Sequence, residues 1–413
     1  MNKEILEVSS VLETLRDLKT VRSRAHKILE LGKTDQLKYF ALEPEKMQAT
    51  ASFVSEVIHE QYPNLDIPYH SRWRHFEAGA VDRIQLMLAQ LKNLSAKARG
   101  KILYELVIIS VFLDAGAGPL WHYKEPSTGT KYSRSEGLAL ASLFIYQHGG
   151  FSVEPTEPFR VDAQRLLQFT KQDLQQGFQI NATNPLEGAT GRVTLLNQLG
   201  EVIKNNSTFF GQEGRLGNFY TYVSSLATNK RLQAAQIFHA VLAAFNSIWP
   251  TRLTFHGEPL GDVWQHQALK TEEPGSEYVP FHKLSQWLTY SLIEPLEHAG
   301  IAVTNLEALT GLPEYRNGGL LIDMGLIRLK NKELLHQVHD PSSEIIVEWR
   351  ALTVALLDEL ADLIRTNLKK NSEELPLAKI LQGGTWEAGR RIARQKRSQG
   401  TPPLQIISDG TVF

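Results

Sequence analysis

The hydrophobic pattern of this chain reads as a succession of helices joined by short turns, and it predicts a mainly α protein with little β structure. Residues 1–64 form helices punctuated by Ser9-Ser10, Gly32 to Asp35 and Pro44. A long helical segment then leads to Asp114, and its apolar end, Leu106 to Leu113, is expected to be buried on most sides. Ser133-Arg134-Ser135-Glu136 has the form of a helix start before an alanine-rich apolar body. Gln233 to Trp249 reads as another buried helix, Arg252 to Phe255 as a short strand, and Glu344 to Leu363 as a strongly apolar helix carrying Glu348 and Arg350. No 20-to-50-residue period repeats and no low-complexity linker interrupts the chain. The expected organisation is one helical domain over 1–413, with an N-terminal helical part (1–66) and a body (67–413) that carries the chemically interesting motifs.

The rest is organised around Val279 to Gly325. It opens on the aromatic and basic knot Phe281-His282-Lys283 and continues into a helix on which Gln286, Tyr290 and Ile293 share one side, with Lys283 a turn before. Pro280 is its expected start and Pro295 its stop or kink. The turn-rich segment Leu309 to Gly319 follows, with Pro313 biasing Leu312 away from helix and Gly318-Gly319 permitting close approach of backbone or ligand. Glu314 lies between these breakers, two positions before Arg316. It is either a solvated turn residue or a group placed for chemistry.

Composition narrows the function classes. At 413 residues, 42% hydrophobic and 22% charged, the chain has the balance of a soluble globular protein, and its formal net charge of −1 argues against a nucleic-acid or anionic-membrane partner. No apolar run reaches the roughly 18 residues of a spanning helix, and the amino terminus reads as an amphipathic helix of mixed charge rather than a signal peptide. The absence of cysteine removes disulfides, thiolate metal sites and cysteine nucleophiles. A cytoplasmic enzyme or binding protein fits best.

Metal and phosphate fingerprints fail. His336 and His339 form an HxxH without a third ligand at a recognisable spacing, and Gly116-Ala117-Gly118-Pro119 lacks the remaining elements of a phosphate loop. No GxSxG elbow supports serine hydrolase chemistry. The segment 67–79 interleaves Arg72, Arg74, His70 and His75 with Tyr69, Trp73 and Phe76, which suits either an anion grip or a structural Arg–aromatic cluster. Trp121, Trp264 and Trp287 are stacking platforms for a planar ligand or core residues. Asp262 is a ligand contact or a helix cap, and Ser408 to Thr411 reads as a tight turn.

The blocks HSRWRHFEAG, FLDAGAGPLWHY, SRSEGLALAS, IWPTRL, PFHKLSQWLTYSL, LTGLPEYRNGGLL, VEWRALTVALLD, LQGGTWEAGR and SDGTVF resemble, almost end to end, a family once catalogued only as a domain of unknown function. Its fungal members are tied to a uracil catabolic pathway that yields urea by way of ribosylurea or its phosphate. A second similarity is to the queuosine salvage proteins, helical nucleotide N-glycosidases with a DNA-glycosylase-like fold. It covers Leu113-Asp114 through Trp121, Lys283 through Gln286, Leu309 through Gly319 and Val347 through Arg350. Their catalytic-site aspartate aligns with Glu314, followed by matching Tyr315 and Arg316. The change from Asp to Glu, and Asn317-Gly318-Gly319 in place of Val-Pro-Gln, leave the recognised base and the mode of attack open.

The resemblance implies an N-glycoside hydrolase that needs no cofactor and releases urea from ribosylurea or its 5′-phosphate. Glu314 is then the group facing the sugar, with Asp114 or Glu348 binding or protonating the urea. Lys283, Arg316, Tyr315, Gln286, Trp121, His282, Arg72, Arg74, Arg350 and Asp262 are the candidate substrate-binding residues. Hydrolysis of the ring-opened pyrimidine ribonucleotide at its amide or imine bond is the rival activity. A non-catalytic nucleotide-binding partner of the ring-opening enzyme is the rival of another class.

Overall fold

A computed structural model describes residues 3–249 and 252–407. The Ser408-to-Thr411 turn, the remainder of the C-terminal SDGTVF block and Pro250 of the IWPTRL block lie outside the described residues. The principal helices in chain order are α1 (Lys3–Leu15), α2 (Leu18–Lys33), α3 (Met47–Gln61), α4 (Ala96–Phe112), α5 (Arg134–Gln147), α6 (Ala189–Asn205), α7 (Ala234–Phe245), α8 (Lys283–His298), α9 (Tyr315–Asp323), α10 (Glu344–Leu368) and α11 (Trp386–Lys396). The longer strands are β1 (Phe40–Leu42), β2 (Arg231–Gln233), β3 (Val263–Gln265), β4 (Tyr278–Pro280), β5 (Ala302–Thr304) and β6 (Ile327–Leu329), each paired with a single partner. The protein is mainly α, as its periodicity predicts. No described helix is long and apolar enough to cross a membrane.

The chain divides into two compact units. The first comprises residues 3–70, 252–287 and 305–407. Its spine is α10, buried along most of its length and packed against α2 and α3, while α9 packs on α11. The antiparallel β1–β6 pair joins segments distant in sequence, with Phe40 opposite Leu329, and the antiparallel β3–β4 pair joins nearby ones, with Trp264 opposite Val279. The second comprises residues 71–249 and 288–304. Within it α4 packs on α5, and β2 runs parallel to β5. Every residue from Ile102 to Leu113 is buried, so this apolar run is enclosed rather than amphipathic. Its one carboxylate, Glu105, is fully buried and matched by Arg215 (2.8 and 3.0 Å) and by the backbone N–H groups of Gly217 and Val161.

One expectation about α8 is corrected, and of the two readings of Pro295 the stop is excluded. Pro280 belongs to β4, and the helix begins at Lys283, whose N–H donates to the Asp262 carboxylate at 2.9 Å. It runs through Pro295 to His298. The glycines after Glu314 do not break the chain either: Gly318 and Gly319 lie inside α9. Their close approach serves packing, since the Gly318 carbonyl accepts from the Trp349 indole at 3.0 Å and a Cβ there would meet that indole at 2.8 Å.

The start of α8 is tied to α10 by a buried ion pair. Arg350 grips both oxygens of Asp262 (2.7 and 2.8 Å), and its guanidinium lies 4.1 Å from the centre of the Phe281 ring. The Trp264 indole supplies a further donor to Asp262 at 2.7 Å. Burial pushes the pKa of Asp262 up, but Arg350 and these donors overcome it and hold the carboxyl well below the usual carboxylate range. Removing one partner leaves a charge buried without its match. Arg350→Met is therefore expected to lower stability by about 3–5 kcal/mol in chemical denaturation, and adding Asp262→Asn to restore part of that loss. A loss below about 1 kcal/mol would show the pair to be a surface-like contact.

Candidate functional site

The first unit gathers its polar side chains around the start of α9. Leu312-Pro313 is followed by Glu314 in extended geometry (φ −114°, ψ 164°), the capping position of the helix. Its carboxylate accepts the N–H of Arg316 at 2.8 Å and that of Asn317 at 2.5 Å. Short polar side chains usually fill this position; Glu314 fills it with a full charge at the positive end of a helix. Only 8% of Glu314 is exposed. Those two bonds use about half of a carboxylate's acceptor capacity, and no other described group donates to it. Burial pushes its pKa up, while the two backbone N–H groups and the charges of Lys283 and Arg316 pull it down.

Lys283 and His70 complete the centre. The charge of Lys283, the first residue of α8, reaches both Glu314 and His70. His70 is buried, and its Nδ1 lies 3.0 Å from Oε1 of Gln382. A carbonyl oxygen only accepts, so Nδ1 carries the proton; with the ring kept neutral by its burial, Nε2 is then the acceptor. Burial moves the His70 pKa down to about 4, the Gln382 bond opposing it and the Lys283 charge adding to it. Gln382 sits in a single π turn, Leu381–Thr385, a feature often found at functional sites. Thr385 at the end of that turn donates to Asn317 at 2.8 Å, which leads back to the α9 cap. The Trp386 ring stands 6.1 Å from His70.

Around this centre are braces. Gln286 is fully buried and donates to the Phe281 carbonyl (3.0 Å) and Thr310 hydroxyl (2.8 Å), while its own oxygen accepts the Thr310 N–H (2.8 Å). It thereby pins the segment leading to Glu314 onto α8. Arg316 donates to the Gly400 carbonyl at 2.7 Å and packs over the half-buried Tyr315 ring at 4.8 Å. Gly389 of α11 fits against the Arg316 carbonyl so closely that a Cβ would come within 2.2 Å of it.

The remaining candidates have identifiable duties. Asp262 and Arg350 neutralise each other at the start of α8, and His282, in left-handed geometry (φ 46°), directs its ring Nε2 to the Leu15 carbonyl at 2.9 Å. Glu348 is completely buried, accepts the N–H groups of Tyr39 and Phe40 (3.1 and 2.8 Å), and meets Nε2 of His266 at 3.3 Å. It is a core carboxylate that fastens β1 to α10. His339 bonds the Leu334 carbonyl, and no group of three metal-ligating side chains occurs among the described residues.

Arg72, Arg74, Asp114 and Trp121 belong to the second unit. Arg72 is fully buried and binds Asp114 (3.1 Å), the Ser110 hydroxyl (2.8 Å) and the Ser135 carbonyl (3.2 Å). Arg74 is paired with Glu294 at 2.6 Å and Glu77 at 3.1 Å. Trp121 donates to the Phe178 carbonyl and packs on the Phe178 ring as a core residue. Within segment 67–79 the two arginines are thus held by carboxylate, hydroxyl and carbonyl groups of the second unit, while His70 belongs to the first unit and bonds Gln382.

Comparison with known proteins places the chain. The family model described as "Protein of unknown function (DUF1688)" matches residues 14–413, and the chain belongs to that family. It is 38% identical over 408 residues to "Protein urg3" of Schizosaccharomyces pombe, covering 97% of this chain and 98% of that protein. It is 36% identical over 443 residues to "Uracil catabolism protein 4" of Lachancea kluyveri, covering 99% and 100%.

The electrostatics of Glu314 carry a signed consequence. A carboxyl whose pKa is higher folded than unfolded makes the folded state less stable when ionised, and the cost fades as pH falls through the folded value. Glu314→Gln is thus expected to gain stability relative to wild type at pH 7, and to lose that advantage as pH falls through the raised folded value to the ordinary value of 4.5. Thermal unfolding of both proteins across that range measures it. An advantage growing toward acid pH would reverse the assignment.

Proposed function

We propose that this protein acts in uracil catabolism as an N-glycoside hydrolase, cleaving ribosylurea or its 5′-phosphate to urea and ribose or ribose phosphate. The observation that carries the reading is the buried, partly unsatisfied Glu314 carboxylate held at a helix start beside Lys283. The pathway comes from the relative named for uracil catabolism. The bond class comes from the resemblance of the Leu309-to-Gly319 and Lys283-to-Gln286 blocks to nucleotide N-glycosidases.

The chemistry matches such a centre. As the C1–N bond breaks, its electron pair goes to the urea nitrogen and positive charge develops across C1 and the ring oxygen. A fixed carboxylate stabilises that charge, either as a counter-ion while water attacks C1 or by attacking C1 itself. The attacking water loses a proton, and the urea nitrogen gains one. Lys283 supplies a cationic donor for the urea oxygen or a ribose hydroxyl. The helix-end N–H groups hold Glu314 in place before the reaction begins, so little reorganisation is needed at the transition state.

The test is direct. Purified wild type is expected to release urea from at least one of ribosylurea and ribosylurea 5′-phosphate, with Glu314→Gln slower by about a thousandfold or more while still folded. The preferred compound identifies whether phosphate is part of the substrate. Release of a three-carbon acid from the ring-opened precursor, with ribosylurea left intact, would replace this reading by amide or imine hydrolysis. Near-normal turnover of Glu314→Gln would remove that residue from the mechanism.

A further inference from the structure

The centre around Glu314 contains one acceptor with no task in the bond cleavage just described. His70 is the last residue before the second unit begins, and it is buried against Trp386 and the π turn. Its Nδ1–H is spent on Gln382, and that residue is anchored in turn: Thr385 of the same turn donates to Asn317, whose N–H donates to Glu314. The ring is therefore linked to the Glu314 carboxylate by three hydrogen bonds joined through the backbone of the π turn and through Asn317. Its Nε2 bonds to no group among the described residues, and the Lys283 charge that reaches Glu314 also reaches this ring. An imidazole next to an ammonium group, with Nδ1–H fixed on an amide oxygen, is held uncharged and presents a lone pair.

A lone-pair acceptor beside a cationic donor has a chemical complement: a neutral group carrying an N–H donor and a carbonyl oxygen side by side. The unsubstituted end of urea is such a group. Glu348, one of the two carboxylates to which the resemblance assigns the urea, is consumed by the Tyr39 and Phe40 N–H groups. We infer that His70 determines leaving-group specificity: its Nε2 accepts a hydrogen bond from the terminal amide N–H of the urea, while Lys283 binds the urea oxygen. This rests on the ribosylurea reading above. A carboxylate leaving-group arm, as on the ring-opened pyrimidine, would set its own charge against the His70 lone pair, so the same pair would select the processed urea over its acidic precursor.

The experiment uses ribosylurea (or the phosphate, whichever wild type turns over) and its N′-methyl and N′,N′-dimethyl forms, the methyl groups being on the terminal nitrogen. The monomethyl compound keeps one N–H and controls for bulk; the dimethyl compound has none. Wild type should process the monomethyl compound well and lose about ten- to a hundredfold in kcat/KM on the dimethyl one. In His70→Met the two methylated compounds should become nearly equal. His70→Gln, which retains an acceptor, should recover part of the difference. If His70→Met does not fold, Gln382→Leu keeps the ring but frees it and should shrink the same ratio. Equal rates on both methylated compounds in wild type, or a ratio unmoved in the folded variants, would overturn the role of His70 while leaving the hydrolase intact. No urea from any compound with wild type would instead remove the hydrolase reading, and this inference with it.

Discussion

A carboxylate enclosed by protein survives as an anion only if something replaces the water it has lost, and for Glu314 that replacement is the start of a helix. Two N–H groups that would otherwise be unsatisfied at the α9 terminus point at the charge, and the aligned peptide dipoles behind them add to the field. The arrangement is a compromise. Burial still raises the pKa of the group, so the folded protein bears a cost for holding it ionised. The same burial strengthens whatever electrostatic work it does on a developing cation. A shorter cap such as serine would finish α9 with no net charge and no burial cost, which is why the glutamate reads as functional.

The surrounding elements are best understood as what keeps that carboxylate in place. Gln286 fastens the approach to Glu314 onto α8 through Thr310, and the Asp262–Arg350 pair fastens the start of α8 to α10. From the other side, Gly389 lets α11 close on the Arg316 backbone, and Thr385 reaches Asn317. Several of these side chains are chemically capable, yet each is committed to another part of the protein. Those contacts fix the carboxylate's surroundings.

Periodicity was a good guide to the helices and a poor one to their ends. The enclosed run of α4 and the long apolar α10 were legible because twelve or more consecutive positions report the same environment. The start of α8 was not, because its cap, Asp262, lies twenty-one residues upstream and no local rule connects them. Of the two readings of Pro295, the stop is excluded, since the helix continues to His298. In the site, Glu314 stood out through its flanking Pro313 and Gly318-Gly319, although the glycines serve Trp349 rather than a turn. Glu348 looked equally reactive in sequence, and only its full burial against two backbone N–H groups marks it as structural. His70 sits in the aromatic and basic segment 67–79, but nothing local marks its role there, since its partner Gln382 is more than three hundred residues away.

The account turns on which bond breaks, and a secondary isotope effect at the ribosyl C1 reads this most directly. With deuterium at that position, leaving-group departure that creates a planar, cationic C1 predicts a normal effect on kcat/KM, clearly above unity. An effect of unity under conditions where chemistry limits the rate would mean that C1 stays tetrahedral. The bond being cut would then lie in the urea or acyl portion, and Glu314 would need another explanation.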